Sequence, residues 1–448
     1  MKNLVWFRSD LRTLDNPALR NALKTGQTHA CLFLPIAQLR KYGHGDRKIH
    51  FLRTSCQNLT AELKKIGVDV TAAEVDDFDN QANAVLNLSR ELDIQRIFWN
   101  NEYPLDERRR DLQLQKKLET MDIQVERFNG GLILPPNQIS TGKGEFYRVF
   151  TPFKRAWLTC YEQNRPALIN GLDPLAKLSA EIRQLKKFAA GPINDYKSHR
   201  DFPVLDSTSH LSACLSVGTI SPLRALAEAL ASNRGEINGG SQEIATWISQ
   251  LIWREFYYHL VARFDPISKN LPFIESTQKL EWNPPESALD KWKRGLTGIP
   301  IVDAGMRQLS KSGWMHNRLR MITAMFLSKN LFLDWRQGEK HFLEHLQDGD
   351  FALNNGGWQW SASTGTDAAP YFRVFNPFTQ AERFDPDARF IKNFVPELES
   401  LPAKVIHSET KLALERPENY PPALVNTVES RKRAIAAFKS LNVLSQNN

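Results

Sequence analysis

The sequence predicts a Rossmann-like α/β N-terminal domain with a parallel five-stranded sheet, joined by a long connector to an all-α C-terminal domain. Three observations predict it. Short apolar runs alternate with helical stretches over residues 1–130, and such alternation implies a parallel sheet with helices on both faces. From Tyr196 onward the strand signal fades and helical periodicity dominates. The length, 448 residues, also exceeds one ordinary core.

The predicted strands are Leu4–Phe7, Ala30–Leu34, Val68–Val70, Arg96–Trp99 and Ile123–Val125, with amphipathic segments such as Phe51–Ile66 and Asn83–Leu92 between them. Asp15-Asn16-Pro17 reads as a helix start, with proline in the first turn. No G-x-G-x-x-G or P-loop occurs, so this domain need not hold a dinucleotide on a glycine-rich turn. Residues 131–195 read as a connector, opening on Gly130-Gly131 and Pro135-Pro136 and closing near Gly191-Pro192. Residues 196–448 read as helices, with loops at Asn283-Pro284-Pro285, Thr297-Gly298 and Asp348-Gly349-Asp350 and one more helix after Asn426.

Hydrophobic content of 42% and charged content of 24% are those of a soluble globular protein. The 58 Lys and Arg against 50 Asp and Glu leave +8, which suits a polyanion such as DNA and equally serves plain solvation. Cys31, Cys56, Cys160 and Cys214 form no C-x-x-C pair and no zinc or iron–sulfur spacing, so reduced thiols in a reducing compartment are expected. The N-terminus is not a signal peptide and no apolar stretch is long enough to span a bilayer. A cytoplasmic address is expected, with a nuclear one open.

Eight of the eleven tryptophans fall between Trp247 and Trp360. Such a cluster stacks flat ligands and passes electrons, or else builds an aromatic core. On a helix, Asp350, Asn354 and Trp358 share one face and present a carboxylate, an amide and an indole. Asp-Gly-Asp is equally an N-cap. A second predicted helix makes Trp247, Gln250, Trp253, Arg254 and Tyr257 neighbours, the composition of a ligand wall. A third brings Trp314, Asn317, Arg318 and Met321 together at spacings of three and four. The hydroxyls of Ser207-Thr208-Ser209-His210-Leu211-Ser212 precede an apolar helix and suit a phosphate or a simple N-cap.

The runs WFRSDLRTLDNPAL (6–19), LIWREFYYHL (251–260), GWMHNRLRMITAMFL (313–327) and DGDFALNNGGWQWSASTGTDAAPYFRVFNPFTQ (348–380) resemble the photolyase/cryptochrome family. The pattern is most similar to bacterial class I cyclobutane pyrimidine dimer photolyases and spans nearly the whole chain. The resemblance implies an antenna domain over 1–130, a connector over 131–195 and a helical FAD- and DNA-binding domain over 196–448. It implies one non-covalent FAD, active as FADH−. Tyr196, Thr208, Ser209, Leu211 and Ser212 would hold its phosphates and ribose. Trp247, Arg254, Asn317, Arg320, Asp348, Asp350 and Asn354 would line it, with Arg320 and Asp348 paired beside the ring and Asn354 facing N5.

The resemblance further implies an electron relay of Trp358, Trp335 and Trp282. Trp253 and Trp360 would wall a flipped dimer, with Tyr257, Asn317, Arg318 and Met321 around it and Arg200 touching DNA. The partner implied is UV-damaged DNA, bound by a monomer without membrane or metal, and no nucleophile or proton-transfer triad is needed. Two departures stand out. Gln250 occupies the position of the family's dimer-binding glutamate. His44, Glu107 and Lys269 match positions for a methenyltetrahydrofolate antenna, but Asp106 replaces the usual Asn and Ser268 the usual Cys.

The implied activity is light-driven repair of cyclobutane pyrimidine dimers, the work of a deoxyribodipyrimidine photo-lyase. A non-repairing cryptochrome is the alternative. Asn354, the Trp253/Trp360 pair and the short chain after the last motif favour repair, while Gln250 leans the other way. A (6-4) photolyase would need histidine at Asn317 and Met321, although it carries glutamine at the position of Gln250. A flavoprotein passing electrons without DNA is the fourth reading.

Overall fold

The computed structural model describes residues 1–168 and 179–446. The chain divides into two compact units. One comprises Met1–Lys197 and Thr208–Ser268, the other Ser198–Ser207 and Lys269–Asn448.

The first unit holds five parallel strands, β1 (Lys2–Phe7), β2 (Gln27–Pro35), β3 (Asp69–Val75), β4 (Arg96–Asn100) and β5 (Gln124–Phe128), in the order β3-β2-β1-β4-β5. All five predicted strands are present; Val68 and Ile123 fall just before β3 and β5. Alternation along central β1 divides the core between two faces. Val5 and Phe7 pack with Leu19 of α1 (Pro17–Thr25) and Leu59 of α2 (Asp46–Lys65). Leu4 and Trp6 pack with Val85 of α3 (Phe78–Glu91) and Leu114 of α4 (Leu105–Glu119). Helix α1 starts as its sequence predicts, with Pro17 in the first turn and the Asn16 side chain accepting from Leu19 N.

The strand order reverses between β1 and β4, the crevice where sheets of this type commonly seat nucleotides. Here the chain fills it. Arg8 donates to Asp111 Oδ1 at 2.9 Å, Asn100 Nδ2 donates to Asp10 Oδ2 at 2.5 Å, and Arg12 donates to the Gly130 carbonyl at 2.7 Å. A β-carbon at Gly130 would come within 2.7 Å of the Asn100 side chain. The missing glycine-rich fingerprint therefore accompanies a crevice whose first turns are tied together by the chain's own polar side chains.

The stretch read as a connector is more ordered than that reading implied. It carries helices Phe150–Gln163 and Ala180–Ala190, and residues 169–178 of it lie outside the described residues. Fully buried Glu255 accepts from Ile133 N, from Leu134 N at 3.1 Å and from Trp157 Nε1 at 2.6 Å, binding this stretch to helix α5 (Gln242–Arg263).

The second unit is helical. It includes α6 (Asn317–Met325), α7 (Trp335–His345), α8 (Phe351–Ala362) and a final helix, Thr427–Gln446, where one was expected. Trp292, Leu319, Trp335, Phe342, Trp358 and Phe390 sit in its main core. The predicted third helix starts later than its spacing suggested. Gly313, at φ +70°, closes the preceding helix in the left-handed region, and Trp314 lies in the loop before α6. Among the described residues, no helix is long and apolar enough to cross a membrane.

Candidate functional site

Helix α5 supplies the candidate residues of the first unit that sequence spacing had placed together. It is apolar on several sides, which is why its core stripe did not read as aliphatic: Ile244, Ile248, Leu251, Ile252, Phe256 and Leu260 are all buried along with Trp247 and Arg254. The Trp247 ring lies 5.4 Å from Phe188, whose other neighbour is Tyr196 at 6.1 Å. Trp253 stacks on Phe150 at 3.7 Å and 8°, with Tyr257 5.7 Å away. One face of this indole is thus covered by the chain. Gln250 Nε2 donates to the Thr246 carbonyl of its own helix at 3.2 Å.

Arg254 donates through Nη1 to the Gly131 carbonyl at 2.9 Å and lies over the Tyr258 ring at 4.4 Å. It also donates through Nη2, at 3.5 Å, to the carbonyl of Leu215 in the short helix Ser212–Val217. Its buried Nε has no hydrogen-bond partner among the described residues. That helix has only six residues and begins on Leu211, without a side-chain cap, after His210 at φ +51°. The hydroxyl N-cap reading is therefore not what the chain adopts. Ser212 and Thr208 are half-buried, and the Ser209 carbonyl accepts from Gln184.

Of the candidate antenna residues of this unit, Asp106 and Glu107 lie in the first turn of α4 and His44 lies in the loop after Tyr42. Tyr42 donates to Asp106 Oδ2 at 2.6 Å, and Arg109 holds the same carboxylate at 3.5 Å. Burial, with help from the Glu102 carboxylate, pushes Glu107 up to about 7. Burial and nearby Lys48 push His44 down to about 4, and its buried Nδ1 has no hydrogen-bond partner among the described residues. Lys269 belongs to the other unit and is exposed.

In the second unit, Arg320 donates to Asp348 Oδ2 at 2.8 Å and to the Met315 carbonyl at 2.8 Å. Asp350 is the N-cap of α8, accepting from Leu353 N at 3.1 Å, so the capping reading holds for that residue. Asn354 donates to the Glu339 carbonyl of α7 at 3.0 Å, and Trp358 is only 2% exposed. The three share a helix, but one caps, one tethers and one is core.

Trp335 is equally buried, at the start of α7, while half-buried Trp282 packs on Phe332 at 5.0 Å. Trp360 is half-buried. Asn317 is exposed, and its amide lies 3.7 Å from Met321 Sδ. Arg318 pairs with Asp201 at 2.7 Å and lies over Phe384 at 4.3 Å, and Arg200 sits 3.8 Å from the same aspartate.

Sequence reasoning missed four contributors. Phe150 backs Trp253, and Glu255 anchors α5. Trp292 meets Trp358 edge-on at 6.0 Å. His316 caps α6 by accepting from Arg318 N; burial holds it down to about 4, and its Nε2 is buried without a partner. Only Trp292 gave a signal, as one more member of the tryptophan cluster.

Both units pack aromatic rings against buried arginine or paired Arg–Asp groups, the equipment of a protein that holds a flat, anionic cofactor. Comparison with known proteins makes the class specific. Residues 3–170 match the family described as DNA photolyase, and residues 247–440 match the FAD binding domain of DNA photolyase. The deoxyribodipyrimidine photo-lyase of Escherichia coli is 39% identical, over 98% of each chain. A bacterial class III photolyase from Agrobacterium tumefaciens superposes with a TM-score of 0.86 at 33% identity, covering 98% of both chains. An archaeal photolyase from Sulfolobus tokodaii, solved with two FAD molecules, gives 0.82 at 28% identity over 98% of this chain and all of its own. The chain belongs to the DNA photolyase family.

Proposed function

We propose that this protein is a light-driven lyase that splits cyclobutane pyrimidine dimers in UV-damaged DNA. The observation that carries the reading is 39% identity over 98% of both chains to a deoxyribodipyrimidine photo-lyase. The functional division runs at about residues 130 and 195, into antenna, connector and flavin domain. The four thiols, free and mostly buried, support a cytoplasmic address, where the protein works as a monomer.

FAD fits the residues present. Arg254 keeps a buried Nε without a partner while carbonyls fix the rest of its guanidinium, a disposition suited to a phosphate. Tyr196, Thr208, Ser209, Leu211, Ser212, Trp247, Arg254, Asn317, Arg320, Asp348, Asp350 and Asn354 would hold the cofactor. The chemistry supplied with reduced FAD bound is transfer of one electron on excitation. Arg320, held by Asp348 and the Met315 carbonyl, is a fixed positive charge that favours an anionic ring beside it.

A dimer must leave the helix to react, and its poor stacking lowers that cost. Trp253 offers its ring face not covered by Phe150, and Trp360 offers a second ring; stacking returns about 1–3 kcal/mol per base. Gln250, whose Nε2 also bonds Thr246, retains its carbonyl oxygen and a second N–H for the exposed edge of a thymine. Arg200 and Arg318 contribute sequence-independent attraction to phosphate. Trp358, Trp335 and Trp282 would form the electron relay toward a flavin held there. His44, Asp106, Glu107 and Lys269 would hold a methenyltetrahydrofolate antenna; the His44 Nδ1, buried without a hydrogen-bond partner among the described residues, supports a polar ligand there. Failure of the folate to bind at saturation, or a flavin in its place, overturns that assignment.

The deciding experiment is illumination of reduced, FAD-loaded protein with an oligonucleotide containing one thymine dimer. Restored thymines and tighter binding to damaged than to intact duplex are expected. No restoration and equal binding would move the protein to the cryptochrome branch, which Gln250 leaves in view.

A further inference from the structure

The last turn of α7 carries a side-chain cluster that repair does not use. It reads His341-Phe342-Leu343-Glu344-His345. Spacings of three and four residues put both imidazoles and the carboxylate on one helix face. One nitrogen of each ring and one carboxylate oxygen lie within 4.8 Å of one another, and the ring centroids are 4.1 Å apart.

Histidines at a helix C-terminus often serve the helix dipole, but that role asks for imidazolium. Two imidazolium rings at 4.1 Å would repel each other. The hydrogen bonding instead fixes which ring nitrogen of His345 is free to face a ligand. His345 Nδ1 is 2.9 Å from the His341 carbonyl, which can only accept. Nδ1 therefore carries a hydrogen, which leaves Nε2 as the nitrogen for a metal, the arrangement by which a backbone carbonyl orients a metal-binding histidine. Glu344 has a loose partner in Lys340, at 3.9 Å.

We propose that His341, Glu344 and His345 bind one divalent transition-metal ion of the zinc class. Two imidazoles and one carboxylate are a borderline-soft N2O donor set, which suits Zn2+, Co2+, Ni2+ or Cu2+ and not Mg2+ or Ca2+. Metal bonds of about 2.0–2.1 Å bring tetrahedral ligand atoms to roughly 3.4 Å from one another. Reaching that spacing takes rotation of the half-buried Glu344 side chain, with the His345 ring held by its carbonyl bond. Three protein ligands leave at least one position to water. The site adjoins the tryptophan core, because the His341 ring lies 5.6 Å edge-on from Trp292, which in turn meets Trp358.

The test uses untagged, FAD-loaded, chelator-stripped protein, titrated with Zn2+ by calorimetry and with Co2+ by visible absorption. One equivalent saturating at micromolar metal, with a cobalt d–d band of low coordination number, is expected. His345→Ala and Glu344→Gln should each weaken binding about tenfold or more while retaining FAD absorbance. A variant at exposed His50, outside the cluster, should bind as wild type. Micromolar binding that survives in both cluster variants, or binding at millimolar metal only, overturns the proposal. If His345→Ala does not fold, Glu344→Gln alone decides it.

Discussion

Replacing Gly338 with alanine should loosen the tryptophan core and slow photoreduction together. Gly338 lies inside α7, where alanine ordinarily gains about 1 kcal/mol over glycine. Here a β-carbon would run into the Trp358 ring, overlapping Cη2 and lying 2.5 Å from Cζ3 and 2.7 Å from Cζ2. Carbon atoms rest about 3.5–4.0 Å apart, so the ring must retreat by roughly 1 Å. It has nowhere to go: Phe342 meets it edge-on at 4.9 Å and Trp292 at 6.0 Å. Overpacking of this kind costs about 1–3 kcal/mol. At the upper end of that range, the net loss after the helix gain is about 2 kcal/mol, or roughly 4–8 °C in Tm for a unit of this size. Trp358, the first tryptophan of the proposed relay, shifts with it. The assay pairs a thermal melt with the rate of flavin photoreduction under blue light and an external reductant. Gly357→Ala is the control, because it is exposed on α8 with nothing within 4 Å of the added carbon; it should stabilise by about 0.5–1 kcal/mol. A Gly338→Ala protein that melts as high as wild type and photoreduces at the same rate would refute the wedge.

Trp282→Phe should leave FAD bound and slow photoreduction strongly; an unchanged rate would mean that electrons enter by another path. Gln250→Glu should raise repair per absorbed photon, because a protonated carboxyl stabilises negative charge developing on the dimer better than an amide. Equal or lower yield would show that the pocket is adapted to glutamine. Glu339 tests stability against pH. Burial raises its pKa from 4.5 to about 7, so the stability it contributes is complete below pH 4.5 and lost as pH rises through 7. Glu339→Gln should therefore flatten the decline in unfolding free energy between pH 5 and pH 8, by up to ~3 kcal/mol. Parallel wild-type and variant curves would place the titration elsewhere.

The sheet was legible because parallel strands covered on both faces are short apolar runs, and β1, β2 and β4 are of that kind. Helix α1 was legible because Asn16 and Pro17 do local work that spacing alone reveals. Trp314 was misplaced because periodicity is blind to a left-handed stop, and Gly313 ends a helix inside an otherwise helical pattern. Asp350 left two readings open because capping and ligand binding demand the same residue at the same position. The residues missed act over long sequence separations. Phe150 meets Trp253, and Glu255 meets Ile133, across about a hundred residues, and no local pattern encodes either contact. The His341–His345 turn is silent for a different reason: cysteine spacing carries no trace of it, because a histidine–glutamate set on one helical turn needs no cysteine.

The Glu255 carboxylate has a consequence in the time domain. The amide hydrogens of Ile133 and Leu134 point into an acceptor that belongs to α5. They can exchange with solvent only when that end of the helix lets go. Exchange protection in a segment that reads as a linker therefore measures the opening of the helix that carries Trp253 and Arg254. Protease nicking at Ile133–Leu134 should likewise be slow, and it should report the opening of this helix more than the reach of the protease.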